Sequence, residues 1–153
     1  MIDFILAIDP GASGGMAVGM GKRGVIALSM PSTPADIVEL LNELWELKEP
    51  GERGVCYLEK VNGYGGLPGV RMFNFGENYG VIQGALASMK APTVLVTPQA
   101  WMKRLGLGGQ GAKNKSKWKN TLKAEAQRRY PELKITLKTA DALLILAAHE
   151  NDE

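Results

Sequence analysis

The amino-acid sequence predicts an α/β fold, a mixed five-stranded sheet with helices on both faces. Three observations carry that prediction. Residues 4–8 (FILAI) form an uninterrupted apolar run stopped by Asp9-Pro10-Gly11, the pattern of a central strand covered on both sides. Residues 14–20 and 24–29 are short strand-like stretches separated by Gly21-Lys22-Arg23, so they continue from the first strand as an antiparallel hairpin. After them, helix-like and strand-like stretches alternate before the chain ends in helices, an order that places helices against a sheet.

The remaining elements follow in turn. From Thr33 the period becomes 3.6: Ile37, Leu40, Leu41, Leu44 and Leu47 share a face, Pro34 suits a first helical turn, and Glu39, Glu43 and Glu46 point outward. Residues 55–61 read as a fourth strand, and 63–69, with four glycines and a proline, as a loop. A second helix is expected over 71–89 and a fifth strand over 93–97. Gly76, Gly80 and Gly84 recur on that helix although a helical glycine costs about 1 kcal/mol against alanine. A strand or neighbouring helix packing there is the favoured explanation, with a dimer contact as the alternative. Thr97-Pro98 opens a short helix ending near Leu107. A glycine loop leads to a helix over 115–130, then a linker over 131–138 and a last helix over 139–150.

At 153 residues, with 45% apolar and 22% charged residues, the chain has the size and composition of a single globular domain, neither disordered nor collagen-like. Its longest apolar stretches, such as 142–148, fall well short of the ~18 to 20 residues that span a bilayer, so no membrane association is expected. The opening Met1-Ile2-Asp3-Phe4 lacks the pattern of a secretory signal, and the single cysteine, Cys56, lies in an apolar run. Both point to a cytoplasmic, reducing compartment and to Cys56 as a core residue.

The formal charge of +2 conceals a segregation: residues 1–98 carry a net −3, residues 99–138 a net +9, and residues 139–153 a net −4. Forty residues with nine surplus positive charges indicate a polyanionic partner, nucleic acid first, against the plainer reading of a solvated lysine-rich helix.

Three carboxylates fall where such a sheet can gather them. Asp9 ends the first strand, Glu59 lies near the end of the fourth, and Asp141 begins the last helix. A buried acid at a strand end is costly unless paired, protonated or metal-bound. Three of them, with one histidine in the whole chain, favour hard oxygen-ligand chemistry, Mg²⁺ or Mn²⁺ rather than zinc. Each also has a plain alternative: Asp9 as a cap on the Pro10-Gly11 turn, Glu59 as a partner of Lys60, Asp141 as a complement to a helix N-terminus.

Phe4-Ile5-Leu6-Ala7-Ile8-Asp9-Pro10-Gly11 followed by Gly14-Gly15, then Tyr57-Leu58-Glu59-Lys60-Val61, then Ala140-Asp141-Ala142-Leu143-Leu144-Ile145-Leu146, resemble the RuvC-type Holliday junction resolvases of the ribonuclease H-like superfamily. The resemblance spans nearly the whole chain, and the element order is that of the ribonuclease H-like fold. It implies that Asp9, Glu59 and Asp141 bind two divalent cations per active site. It also implies that a basic residue near the start of the late helix contacts DNA; Lys115 matches best, with Lys113, Lys117, Lys119 and Lys123 around it. The family's aromatic wedge falls nearest Asn62, and the loop Tyr64 is a second candidate for stacking on an exposed base. One departure concerns the fourth metal ligand, usually an aspartate or histidine one turn before the last acid; here Lys138 stands there. Its ammonium could contact the scissile phosphate instead, while His149 and Glu150 are distant substitutes and His149 reads first as an ordinary helix-end residue.

The expected activity is metal-dependent endonucleolytic resolution of four-way junction DNA by paired symmetric nicks leaving 5′-phosphate and 3′-hydroxyl ends. Two nicks from one site per chain imply a homodimer, through the glycine-bearing second helix or the helix near Trp101. Rival readings are a ribonuclease H-like nuclease acting on RNA or an RNA/DNA hybrid, and a non-catalytic junction-binding protein. An actin-like or sugar-kinase ATPase shares the first motif but needs two such domains, for which the chain has no room.

Overall fold

The computed structural model describes residues 1–60, 68–108 and 114–153. The predicted mixed sheet is present. Strands β1 (Phe4–Asp9), β2 (Gly15–Gly19), β3 (Val25–Ser29), β4 (Gly54–Glu59) and β5 (Thr93–Val96) lie in the order β3-β2-β1-β4-β5. β1, β2 and β3 pair antiparallel in sequence, whereas β1 pairs parallel with β4 and β4 parallel with β5. The central position of β1 explains its lack of alternation: every residue from Phe4 to Ile8 is buried.

Each face of the sheet carries its own apolar layer. Phe4, Leu6, Ile8, Met16, Cys56 and Leu58 pack with Leu41 of α1 (Pro34–Glu46) and with Ile82 and Leu86 of α2 (Gly69–Ser88). Ile5, Ala7, Ala17, Val55 and Tyr57 pack on the opposite side with α3 (Pro98–Arg104), α4 (Lys115–Arg129) and α5 (Leu137–His149). Residues of opposite parity thus face opposite helix layers. Among the described residues no helix is long and apolar enough to cross a membrane.

The helix starts are set by local chemistry. Thr33 and Thr97 accept hydrogen bonds from the Asp36 and Ala100 amides at 3.1 Å, and each is followed by proline in the first turn. Asn114 caps α4 through the Lys117 amide at 3.1 Å. At α5, the Thr136 amide donates to Thr139 Oγ1 at 3.1 Å, one half of a capping box. That box starts α5 at Leu137, two residues ahead of the expected boundary, so Lys138 belongs to the first helical turn rather than to a linker.

α5 is the helix that matters most for the site. Nine of its residues, from Thr139 to His149, are buried, as expected of a helix apolar on nearly all sides. It lies directly on β2 because two glycines allow it: a Cβ on Gly15 would sit 2.5 Å from the Lys138 carbonyl oxygen, and one on Gly19 would sit 2.8 Å from Leu146 Cδ1. The eight helical steps from Lys138 to Leu146 rise ~12 Å, and the four strand steps from Gly15 to Gly19 span ~13 Å. The helix therefore runs alongside the strand, with its N-terminal end at Gly15.

One expectation is corrected. Gly76, Gly80 and Gly84 do not make room for a strand or neighbouring helix: all three are exposed, and among the described residues nothing lies within 4 Å of a Cβ placed on any of them. Trp101 is entirely buried, so its ring belongs to the interior of the chain, while Gln99, Ala100, Lys103 and Arg104 of the same helix are exposed.

Candidate active site

Parity and register bring two of the acids together. Ile8 stands opposite Leu58 in the parallel β1–β4 pair, so Asp9 and Glu59 occupy the next step on adjacent strands. They continue the odd-numbered rows, Ile5-Ala7-Asp9 and Val55-Tyr57-Glu59, and so face the α5 layer. The third acid arrives through the helix. Gly15 is opposite Asp9 in the β1–β2 pair, and the Lys138 backbone rests on Gly15. Asp141 follows Lys138 by three residues, so the two side chains are neighbours on the helix surface. Asp141 lies beyond the first turn of α5, which carries no acid, so it is not an N-terminal charge complement.

The three carboxyls feel one another. All are half-buried. Desolvation raises Asp9 well above its ordinary value, and the charges of Asp141 and Glu59 add to the rise, against a smaller opposing effect of Lys119. Desolvation also raises Glu59, to about 7, with Asp141 contributing and a hydrogen bond from Trp101 opposing. Asp141 is raised by burial and eased by Lys119. The set is thus short of positive charge at its centre, with one lysine in partial compensation.

Glu59 does not pair with Lys60 as its plain alternative supposed. Its Oε2 accepts a 2.8 Å hydrogen bond from Trp101 Nε1. Among the described residues no group of three or more His, Cys, Asp or Glu side chains stands close enough to hold a metal ion between them. The acids share a field without forming a closed ligand set. As donors they still fit a hard divalent cation: they offer carboxylate oxygens, while Cys56 faces the other helix layer and His149 is engaged elsewhere. His149 is buried, with Nδ1 2.9 Å from the Ile145 carbonyl oxygen and its ring stacked on Tyr57 at 4.1 Å. It is a helix-end residue engaged with one of the last carbonyls, as its first reading held, and it is also buried in the core.

A cleft of about 950 Å³ opens over Asp9 and Asp141. Its floor includes the turn Pro10–Gly14, one wall carries Arg71, Asn74 and Asn78 of α2, and the other carries Lys119 and Lys138. The turn is tightly built. Gly11 has φ +101°, a Cβ on it would lie 2.7 Å from Phe75 Cε2, and its amide donates to Asn78 Oδ1 at 2.7 Å. Sequence reading missed this role of Asn78, because nothing in its spacing marks a residue that meets the turn 67 positions away.

The predicted lysines separate. Lys119 acts on Asp9 and Asp141 and lines the cleft, and Lys138 lines the cleft without acting on the acids. Lys115 is exposed and Lys123 half-buried, with neither in the cleft wall. At 100° per residue, Lys115, Lys119 and Lys123 remain on one side of α4, and Lys117, also exposed, lies well round from them. Lys113, Asn62 and Tyr64 lie outside the described residues.

No family model matches the chain, and a search of the curated proteins finds no match. Solved structures do match. The chain is similar to a Thermus thermophilus RuvC structure at 18% identity and a TM-score of 0.55, over 96% of this chain and 93% of that one. It is also similar to T. thermophilus RuvC in complex with Holliday junction substrate, at 15% identity and a TM-score of 0.60, over 96% of this chain and 92% of the other. Together with the strand order and the placement of α5, these matches establish that the chain has a RuvC-like, ribonuclease H-like fold.

Proposed function

We propose that the protein is a metal-dependent endonuclease that resolves Holliday junctions by paired symmetric nicks, leaving 5′-phosphate and 3′-hydroxyl ends. The observation that carries this reading is the common field of Asp9, Glu59 and Asp141 beside a cleft walled by Lys119 and Lys138, in a fold of the RuvC kind. Asp9, Glu59 and Asp141 would hold two Mg²⁺ or Mn²⁺ ions, whose chemistry when bound is to activate a water and stabilise the leaving 3′-oxygen of a phosphodiester. Lys119 and Lys138 would pair with backbone phosphate at the cleft wall and bring the strand to the acids. Positive charge next to the carboxyls also lowers the repulsion that an incoming phosphate meets.

Cleavage of a labelled synthetic four-way junction, compared with linear duplex, RNA/DNA hybrid and flap, tests the reading in Mg²⁺, Mn²⁺ or chelator. Symmetric, metal-dependent cuts in the junction alone are expected. Cutting only the hybrid would move the activity to RNA. Binding without cutting in either metal would favour a junction-binding protein, a reading supported by Lys138 in place of a fourth ligand and by the open arrangement of the acids.

Ion pairs between α4 and the DNA backbone should supply most of the affinity. Replacing Lys115, Lys119 and Lys123 with alanine is expected to reduce the slope of log affinity against log salt by roughly 0.9 for each phosphate that is no longer neutralised. A slope unchanged by the triple substitution would remove this face from the interface.

Paired nicks call for two sites, and the outer face of α2 offers a place for a second copy. Gly76, Gly80 and Gly84 leave it open among the described residues, and Val70 and Phe73 at its start are 74% and 70% exposed. Small residues on such a face let two helices approach closely. A solution mass of two chains is expected, and Gly80→Arg should reduce it to one.

A further inference from the structure

Among the described residues, Glu59 is the one acid of the three whose carboxyl accepts a hydrogen bond from a neighbouring side chain, and the way that neighbour is held has consequences for ligand binding. Trp101 is fully buried, and its indole N–H, a donor that needs a partner when buried, finds Glu59 Oε2 at 2.8 Å. The connection between them is short. Val96 stands opposite Glu59 in the β4–β5 pair, the Thr97-Pro98 cap turns the chain directly into α3, and Trp101 lies in the first turns of that helix.

The far end of α3 is tied down as well. Arg104 pairs with Asp152 through Nη1 and Nη2, and Asp152 Oδ2 also accepts the Tyr57 hydroxyl at 2.8 Å. Tyr57 is two residues before Glu59 on the same face of β4. The route therefore closes on itself: Glu59, Trp101, α3, Arg104, Asp152, Tyr57 and back along β4. A donor anchored at both ends in this way keeps its position when the carboxyl is recruited.

We infer that Trp101 is a positioning residue, which commits Oε2 of Glu59 to the indole so that the other carboxylate oxygen is the one offered to a divalent cation. Carboxylates that ligate metals are characteristically held by an outer hydrogen bond of this type, whose loss weakens metal binding by 10- to 100-fold. The inference rests on the metal-dependent reading above and adds a residue to it that touches neither metal nor substrate.

Mn²⁺ uptake by the DNA-free protein, followed by the loss of the free-ion electron paramagnetic resonance signal, tests it in four proteins: wild type, Trp101→Phe, Glu59→Gln and the double variant. Trp101→Phe is expected to weaken Mn²⁺ binding about 10-fold, and to have no further effect once Glu59 is replaced, because it acts through that carboxyl. Unchanged binding by Trp101→Phe, or an equal loss in both backgrounds, would overturn the inference. Wild-type protein that takes up no Mn²⁺ would overturn the metal-dependent reading and this inference with it. Should Trp101→Phe fail to fold, benzothienylalanine at position 101 alone keeps the ring volume and removes the N–H, and the same two outcomes apply to it.

Discussion

Asp9→Asn should abolish junction cleavage, by at least ~10³-fold under single-turnover conditions, which corresponds to about 4 kcal/mol of transition-state stabilisation. Asp141 and Glu59 both act on this residue, and it ends the central strand and lines the cleft. Replacing its carboxylate with an amide preserves shape and removes one negative charge from the set proposed to hold the cations. Binding should be unaffected or slightly tighter, since the proposed phosphate contacts are those of the lysines and the change reduces repulsion. Fluorescence anisotropy with a labelled junction in chelator measures the affinity, and gel analysis in Mg²⁺ and in Mn²⁺ measures the cutting. Cleavage at the wild-type rate would refute the assignment of the site. Lost affinity with lost cleavage would place Asp9 in folding or binding rather than in the reaction.

The second large effect is on stability. Glu59 is raised to about 7 from an ordinary 4.5, and Asp9 and Asp141 are also raised, because burial and mutual repulsion disfavour their ionised forms. In the unfolded chain all three ionise freely. Between the ordinary carboxylate range and neutrality the folded, metal-free protein thus holds more protons than the unfolded one, and stability falls as pH rises. Glu59 alone accounts for about 3 kcal/mol across that window. His149, lowered chiefly by burial, works in the opposite direction near its own ordinary value. The comparison that isolates the acids is therefore between wild type and Glu59→Gln. In chelator, the variant should melt about 5 to 10 °C above wild type near pH 8 and level with it near pH 4. Mg²⁺ added near pH 8 should raise wild type and leave the variant little changed. A difference between the two proteins that does not depend on pH would show that Glu59 is not forced to ionise against its surroundings.

Much of the architecture is legible in the sequence. FILAI and its Asp-Pro-Gly stop mark the central strand, Gly21-Lys22-Arg23 marks the hairpin, and the capped amphipathic run after Thr33 marks α1, because turn chemistry and hydrophobic period act within a few residues. Asp9 and Glu59 are identifiable as strand-end acids, and Asp141 as an acid of the last helix, for the same reason.

Which face those acids occupy is not legible there. An apolar run buried on both sides has no alternation to read, so FILAI and VCYL leave the orientation of Asp9 and Glu59 open. It is decided by α5 settling on Gly15 and Gly19, which brings Asp141 to the same side. Tertiary packing likewise assigns Trp101 to Glu59, Asn78 to the Gly11 amide, and the α2 glycines to an open face, since each depends on how segments far apart in the chain come to lie. The sequence alone determined the elements and the chemistry of the candidate ligands, because short-range forces encode both. Only the folded chain decided their convergence, because burial and mutual charge exist once distant segments share one low-dielectric site.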